Sequence, residues 1–235
     1  MMDTLMTVLF YAILACFAVT ILAWCVSEWM KKWQAGVLVG AASALGVLLL
    51  LVQLVVLFVR GEGMTSAGLY SICGFVLALS TCYMHFRLMG TGVAPLAAIF
   101  ILALESGTRF ASTLDALLPM VAKFDAPWVQ QACVLAAVGI GLAISYGLLA
   151  GISARRQRNL EEETNELDKY VSNSMPKMVS HFGWWAIVAL SFALGAYMLW
   201  CQTLYGVFWI WQPLMAVLAA VWLLVFLGKD VLKIR

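Results

Sequence analysis

Seven apolar runs, at about 3–26, 35–59, 66–88, 92–106, 129–152, 182–202 and 206–228, leave this chain little polar surface from which to build a water-soluble fold. A membrane-spanning helix needs about 20 mostly apolar residues, because its backbone N–H and C=O groups must satisfy one another inside the segment. Of the 235 residues, 64% are hydrophobic and 11% charged, whereas a soluble domain carries about a quarter charged residues. The expected fold is all-α: a polytopic integral membrane helix bundle of about seven transmembrane helices, forming one domain over residues 1–235 in the lipid bilayer. The first run lacks a basic n-region and is long enough to span, so it reads as the first helix rather than a cleaved signal. The fourth run is the shortest, with Pro95 near its start and Glu105 near its end.

Basic residues set the expected orientation. Placing the connections near 27–34, 86–91 and 153–181 and the C-terminus in the cytoplasm puts eleven Lys and Arg inside. Arg60, Arg109 and Lys123 are left outside. That bias follows the positive-inside rule and predicts an outer N-terminus and a cytoplasmic C-terminus. Residues 107–128 read as an outer loop with an amphipathic middle. In the polar tract 153–181, EEETNELDKY reads as a short solvated helix. Pairs such as Gly36 with Gly40, and the series Gly139, Gly141, Gly147 and Gly151, suggest close helix packing. A net charge of +2 gives no basic face for nucleic acid.

Few residue types here carry chemistry. The six cysteines are scattered, mostly inside apolar runs, without a CxxC or CxxCH, so neither a dithiol redox site nor covalent haem attachment is supported. No nucleophile–base grouping or metal-ligand spacing is present, so no autonomous catalytic activity is expected. The two histidines, His85 and His181, fall at the predicted cytoplasmic ends of the third and sixth spans. Lying at the same depth, the pair on facing helices could clamp one haem b as its axial ligands, since an imidazole can hold the iron, and both also suit an interfacial position. Glu105 and Arg109 are four residues apart and would share a helix face, where they can pair. In the same place Glu105 can instead take a proton from a quinol. Gln130 and Gln131 at the mouth of the fifth run can hydrogen-bond a ligand or cap the interface.

The densest feature is YGVFWIWQP at 205–213, within an outer connection of about 203–215. Tyrosine and tryptophan favour the membrane interface because one end of the ring system is polar. Grouped flat rings also offer a surface on which a planar ligand, haem or quinone, can stack. Trp200, Tyr205, Phe208, Trp209, Trp211 and Gln212 make up that candidate surface.

This stretch resembles the tryptophan-rich signature of the CcsA/ResC-type cytochrome c biogenesis family, approximately W-G-x-Y-W-x-W-D-P-K-E. Tyr205, Gly206, Phe208, Trp209, Trp211, Gln212, Pro213, Leu214 and Met215 stand in its places. Leu167, Asp168 and Lys169 match the opening of an L-D-x-x-S-Y-R segment, Trp200 a helix-ending tryptophan, Ser66 and Tyr70 a P-x-S-N-x-Y-E segment, and Trp128 an S-Y-W stretch. The resemblance covers roughly residues 40–230. It implies a haem-delivery component of cytochrome c maturation in a bacterial inner membrane, with a membrane or outer-face partner protein. The chain departs from the family at its ligands. The family's haem histidines fall near Gln53, Ala132 and Asp230, and Gln212 and Leu214 replace its acid–lysine pair. A divergent scaffold of that kind would alternatively serve as a non-catalytic anchor or quinone-facing subunit of a respiratory electron-transfer complex.

Overall fold

The computed structural model describes residues 2–26, 32–87, 93–117, 127–158, 166–209 and 213–228, with side chains for 4–26, 34–87, 93–108, 130–155, 173–209 and 215–228. Among the described residues the chain is all-helical, with seven helices: α1 Met2–Cys25, α2 Lys32–Val59, α3 Ser66–Arg87, α4 Val93–Leu117, α5 Pro127–Arg158, α6 Glu166–Tyr205 and α7 Pro213–Phe226. Five of them contain segments long and apolar enough to cross a membrane, while Val93–Thr108 and Met215–Phe226 are shorter apolar helices. Side chains turned away from the helix contacts are themselves apolar; Tyr11, Leu22, Leu48 and Val59 are all more than half exposed. In water such a surface would aggregate, and in a bilayer it meets its own kind. The protein is an integral membrane protein.

Three helices differ from their expected bounds, α7 among them, which begins at Pro213 where its apolar run began at 206. The segment from 107, expected as a loop, continues α4 to Leu117, where no proline interrupts GTRFASTLDAL. Residues 166–170 of the expected short solvated helix are instead the start of α6, which runs 40 residues and carries Pro176 inside it, while 161–165 lie outside the described residues. The helix therefore reaches from the polar tract through the whole sixth apolar run.

Two compact units divide the chain, Met1–Lys123 and Phe124–Arg235. In the first, α1 packs on α2 and α4, and α3 packs on the same two, closing a four-membered ring. Five or six residues separate successive helices there. Such a link spans at most about 20 Å, too short to return along a helix of about 35 Å, so neighbours run antiparallel. The α2–α3 corner is built by its glycines. Gly61 has φ of 75°, and the N–H groups of Gly61 and Glu62 donate to the carbonyls of Phe58 and Leu57. This pair of bonds is the Schellman ending, which satisfies the last carbonyls of α2. Thr65 then caps α3, its Oγ1 accepting from Gly68 N–H at 3.4 Å.

In the second unit α5 and α6 lie closest, with α7 folded back along them. Their core is Leu190, Ala193, Tyr197, Cys201, Met215 and Leu218. At Gly139 a Cβ would stand 2.6 Å from Leu190 Cδ2, so only glycine admits the α5–α6 approach at that level. Gly147 and Gly151 have nothing within 4 Å of such an atom, so the glycine spacing marks one true close contact and two open positions.

Candidate functional site

The aromatic turn begins where α6 ends. Gly206 adopts φ of 69° and its N–H donates to the carbonyl of Gln202 at 3.1 Å. A left-handed residue at this place terminates a helix with a single bond and costs glycine nothing. The chain then turns so that Trp209 meets Tyr197 edge-on, ring centroids 5.2 Å apart at 81°. Tyr197 also lies against Trp200 at 5.7 Å, and Trp200 meets Tyr205 edge-on at 5.7 Å. Edge-to-face contacts of this kind contribute roughly 0.5–1.5 kcal/mol each beyond area burial.

The rings are thus partly consumed by each other. Tyr197 is buried, Trp200 and Trp209 are half-buried against the unit's core, and Tyr205 and Phe208 are exposed. What remains open is a rim of Tyr205, Phe208 and the outer faces of the two tryptophans. Trp211 and Gln212 lie outside the described residues. Tyr197, which sequence reasoning did not single out, is the hub; the signal was available in its position three residues before Trp200, one helical turn away. Farther along α7, Trp222 stacks on Phe226 at 5.4 Å and donates from Nε1 to Ser191 Oγ on α6 at 2.9 Å.

Each histidine is tied to a backbone carbonyl, but by a different nitrogen. His85 belongs to the first unit, and its Nε2–H donates to Gly36 O on α2 at 3.0 Å. Its ring lies close against Gly40, where a Cβ would approach Cδ2 to 3.2 Å. The glycine pair 36 and 40 therefore forms the seat of this imidazole, one by its carbonyl and one by its missing side chain. His181 belongs to the second unit and is exposed. Its Nδ1–H donates to Lys177 O at 2.7 Å, which orients the ring and leaves Nε2 as an acceptor. That is the usual state of an imidazole ready to ligate. Sixteen residues of α6 separate His181 from Tyr197, about 24 Å of helix, so one planar cofactor cannot engage both.

A third group was only half visible in the sequence. Gln53 on α2 donates from Nε2 to Ser71 Oγ on α3 at 2.9 Å and to Glu105 Oε2 on α4 at 2.9 Å. All three are buried, Gln53 at 3% and Glu105 at 0% exposure. Glu105 thus pairs with Gln53; the side chain of Arg109, its expected partner, lies outside the described residues. The signal for this cluster was a glutamine and a glutamate standing in otherwise apolar runs. Which helix faces would meet was not readable.

Other hydroxyls inside the helices bond locally. Thr20, Ser80, Thr81 and Ser145 each donate to a carbonyl three or four residues back, a common way to quiet a hydroxyl within a helix. Gln130 is half-buried and Gln131 exposed near the start of α5. Among the described residues no three His, Cys, Asp or Glu side chains gather as a metal-binding group. No family model matches the chain, and no curated protein or solved structure matches it either.

Proposed function

We propose that this protein is a haem-handling membrane component of cytochrome c maturation, in which the aromatic turn after α6 serves as a stacking surface for the porphyrin. The observation that supports this most is the linked set Tyr197, Trp200, Trp209 and Tyr205, bordered by the exposed ring of Phe208. A flat apolar ring system resting on such a rim gains burial and ring contact together. Haem iron also needs an axial imidazole, thiolate or thioether to be held. The turn supplies no imidazole, and Cys201 and Met215 beside it are buried in the core. This geometry suits transient stacking and passage, with redox chemistry belonging to the haem itself. His181, with Nε2 open, is the candidate for a single axial ligand at the other end of α6. On this reading all seven apolar helices cross the bilayer of a bacterial inner membrane, the N-terminus outside and the C-terminus in the cytoplasm, and the outer face meets a partner protein.

The test is an absorption spectrum of the detergent-solubilised protein, oxidised and dithionite-reduced, with a pyridine haemochrome assay. Expression with ample haem should give a Soret band that weakens in Trp209→Ala if the turn binds the ring, or in His181→Ala if the histidine does. A colourless wild-type protein would sink the haem reading. A second reading has its own support in the bond from His85 to Gly36, which commits Nε2 to a carbonyl and leaves only Nδ1 to meet an iron. On that reading the scaffold is a non-catalytic anchor or quinone-facing subunit of a respiratory complex, and solvent extraction of the purified protein would yield quinone instead of haem.

A further inference from the structure

We infer that the phenol of Tyr205 is the iron ligand of the aromatic turn, which makes the turn selective for ferric haem over ferrous haem and over the metal-free porphyrin. The inference rests on the haem reading above and adds to it the bond that stacking cannot supply. Tyrosine is the remaining side-chain class that holds haem iron, beside imidazole, thiolate and thioether. By donor type and access the turn narrows to Tyr205. Tyr197, Cys201 and Met215 are of ligating types but are buried, at 1%, 0% and 3% exposure, so a flat macrocycle cannot reach their oxygen or sulfur. Residues 210–212 are Ile, Trp and Gln, whose side chains are not haem ligands.

Donors farther off do not serve the turn. His181 lies 24 residues before Tyr205 on α6, about 36 Å of helix. Met198 is partly exposed but stands seven residues before Tyr205, two helical turns or about 10 Å along the axis. Tyr205 itself is 57% exposed, and among the described residues its hydroxyl makes no hydrogen bond. Its ring is nevertheless held. It is the last residue of α6, Gly206 turns the chain directly after it, and Trp200 meets it edge-on at 5.7 Å. A side chain fixed by its neighbour loses little freedom on binding. Phe208, exposed, and Trp209, half-buried, follow in the same turn, so stacking faces and a ligating oxygen are offered together.

Charge selects the oxidation state. A porphyrin binds iron as a dianion, so the ferric centre keeps one net positive charge and the ferrous centre none. A phenol ligates only as its anion, and its proton leaves to solvent as the oxygen meets the iron. That anion cancels the charge of the ferric centre. With ferrous iron it would stand uncompensated among Leu204, Val207 and Phe208, which are exposed and apolar, at a cost that rises as water is displaced. The metal-free ring gains the stacking contacts and nothing more.

The experiment titrates the full purified chain in detergent with ferric haem, with ferrous haem kept reduced by dithionite, and with protoporphyrin IX, following tryptophan quenching and the Soret band. The wild type should bind ferric haem roughly tenfold or more tightly than either of the others, and resonance Raman spectra of the ferric complex should show phenolate modes. Tyr205→Phe keeps the ring and the turn. It should lose those modes and bind ferric haem no better than protoporphyrin IX, with its protoporphyrin IX affinity unchanged as proof that the turn is intact. Met198→Ala and His181→Ala should leave the modes in place. Phenolate modes absent from the wild type, or retained in Tyr205→Phe, would overturn the assignment. If ferric haem and protoporphyrin IX bind alike and Trp209→Ala weakens both, the stacking surface stands and the ligand alone falls. If neither ring binds, the haem reading falls and this assignment with it.

Discussion

Replacing Gly139 by alanine tests whether the α5–α6 contact is as close as its geometry states. The added Cβ would lie 2.6 Å from Leu190 Cδ2, 2.7 Å from Cγ and 3.2 Å from the Leu190 backbone nitrogen. Ordinary carbon contacts need about 3.5–4.0 Å, so the neighbour must retreat by nearly an ångström. Leu190 is fully buried, and its backbone nitrogen cannot be moved by a change of rotamer. The helices themselves must part, and overpacking of this kind costs about 1–3 kcal/mol. Alanine also gains helix propensity over glycine, which would obscure the loss if measured alone. Gly147→Ala provides the control, since it lies in the same helix with nothing within 4 Å of the new atom. The difference between the variants isolates the steric cost. At about 2 kcal/mol it corresponds to roughly 4–8 °C in Tm for a chain of this size. Tryptophan fluorescence during heating in detergent reads it directly. Equal Tm values for the two variants would refute the close approach.

Three further outcomes follow from other contacts. Gly206→Val places a β-branched residue in a left-handed conformation and should cost about 1–2 kcal/mol, lowering Tm and shifting tryptophan emission as Trp209 loosens from Tyr197. Trp222→Phe and Ser191→Ala each remove one end of a 2.9 Å bond; a double-mutant cycle on unfolding should give a coupling of about 0.5–1.5 kcal/mol, and strict additivity would show that the bond does not form. Nitrogen-15 NMR of the His85 ring should find the proton on Nε2, as its bond to the Gly36 carbonyl demands, and His85→Leu should lower stability by about 0.5–1.5 kcal/mol.

The turn after α6 shows how unevenly a site is legible in a sequence. Its aromatic density was visible because tryptophan and tyrosine are conspicuous at an apolar boundary, and Gly206 announced a helix end because few other residues tolerate that conformation. The rings' mutual edge-on packing was not visible, since it depends on a turn of chain whose direction no local pattern encodes. The glycine spacings were legible as positions for close packing but not as outcomes. Gly40 seats an imidazole, Gly139 admits a leucine, and Gly147 touches nothing within 4 Å.

Sequence alone determined that this chain is a bundle of apolar helices in a membrane, because backbone satisfaction in hydrocarbon leaves a run of apolar residues almost no other structure. It also located the apolar core of each helix but the last, whose run began at 206 while α7 starts at Pro213. Where α4 and α6 would stop was less certain, because polar flanks can continue a helix as readily as leave it. Tertiary structure alone decided which side chains meet. Gln53 and Glu105 stand 52 residues apart, and all that joins them is the rotation of two helices about their own axes. In an apolar solvent, helix faces differ little in their liking for lipid, so hydropathy does not mark which one turns inward. Packing and a few buried hydrogen bonds choose, and those exist only once the helices are side by side.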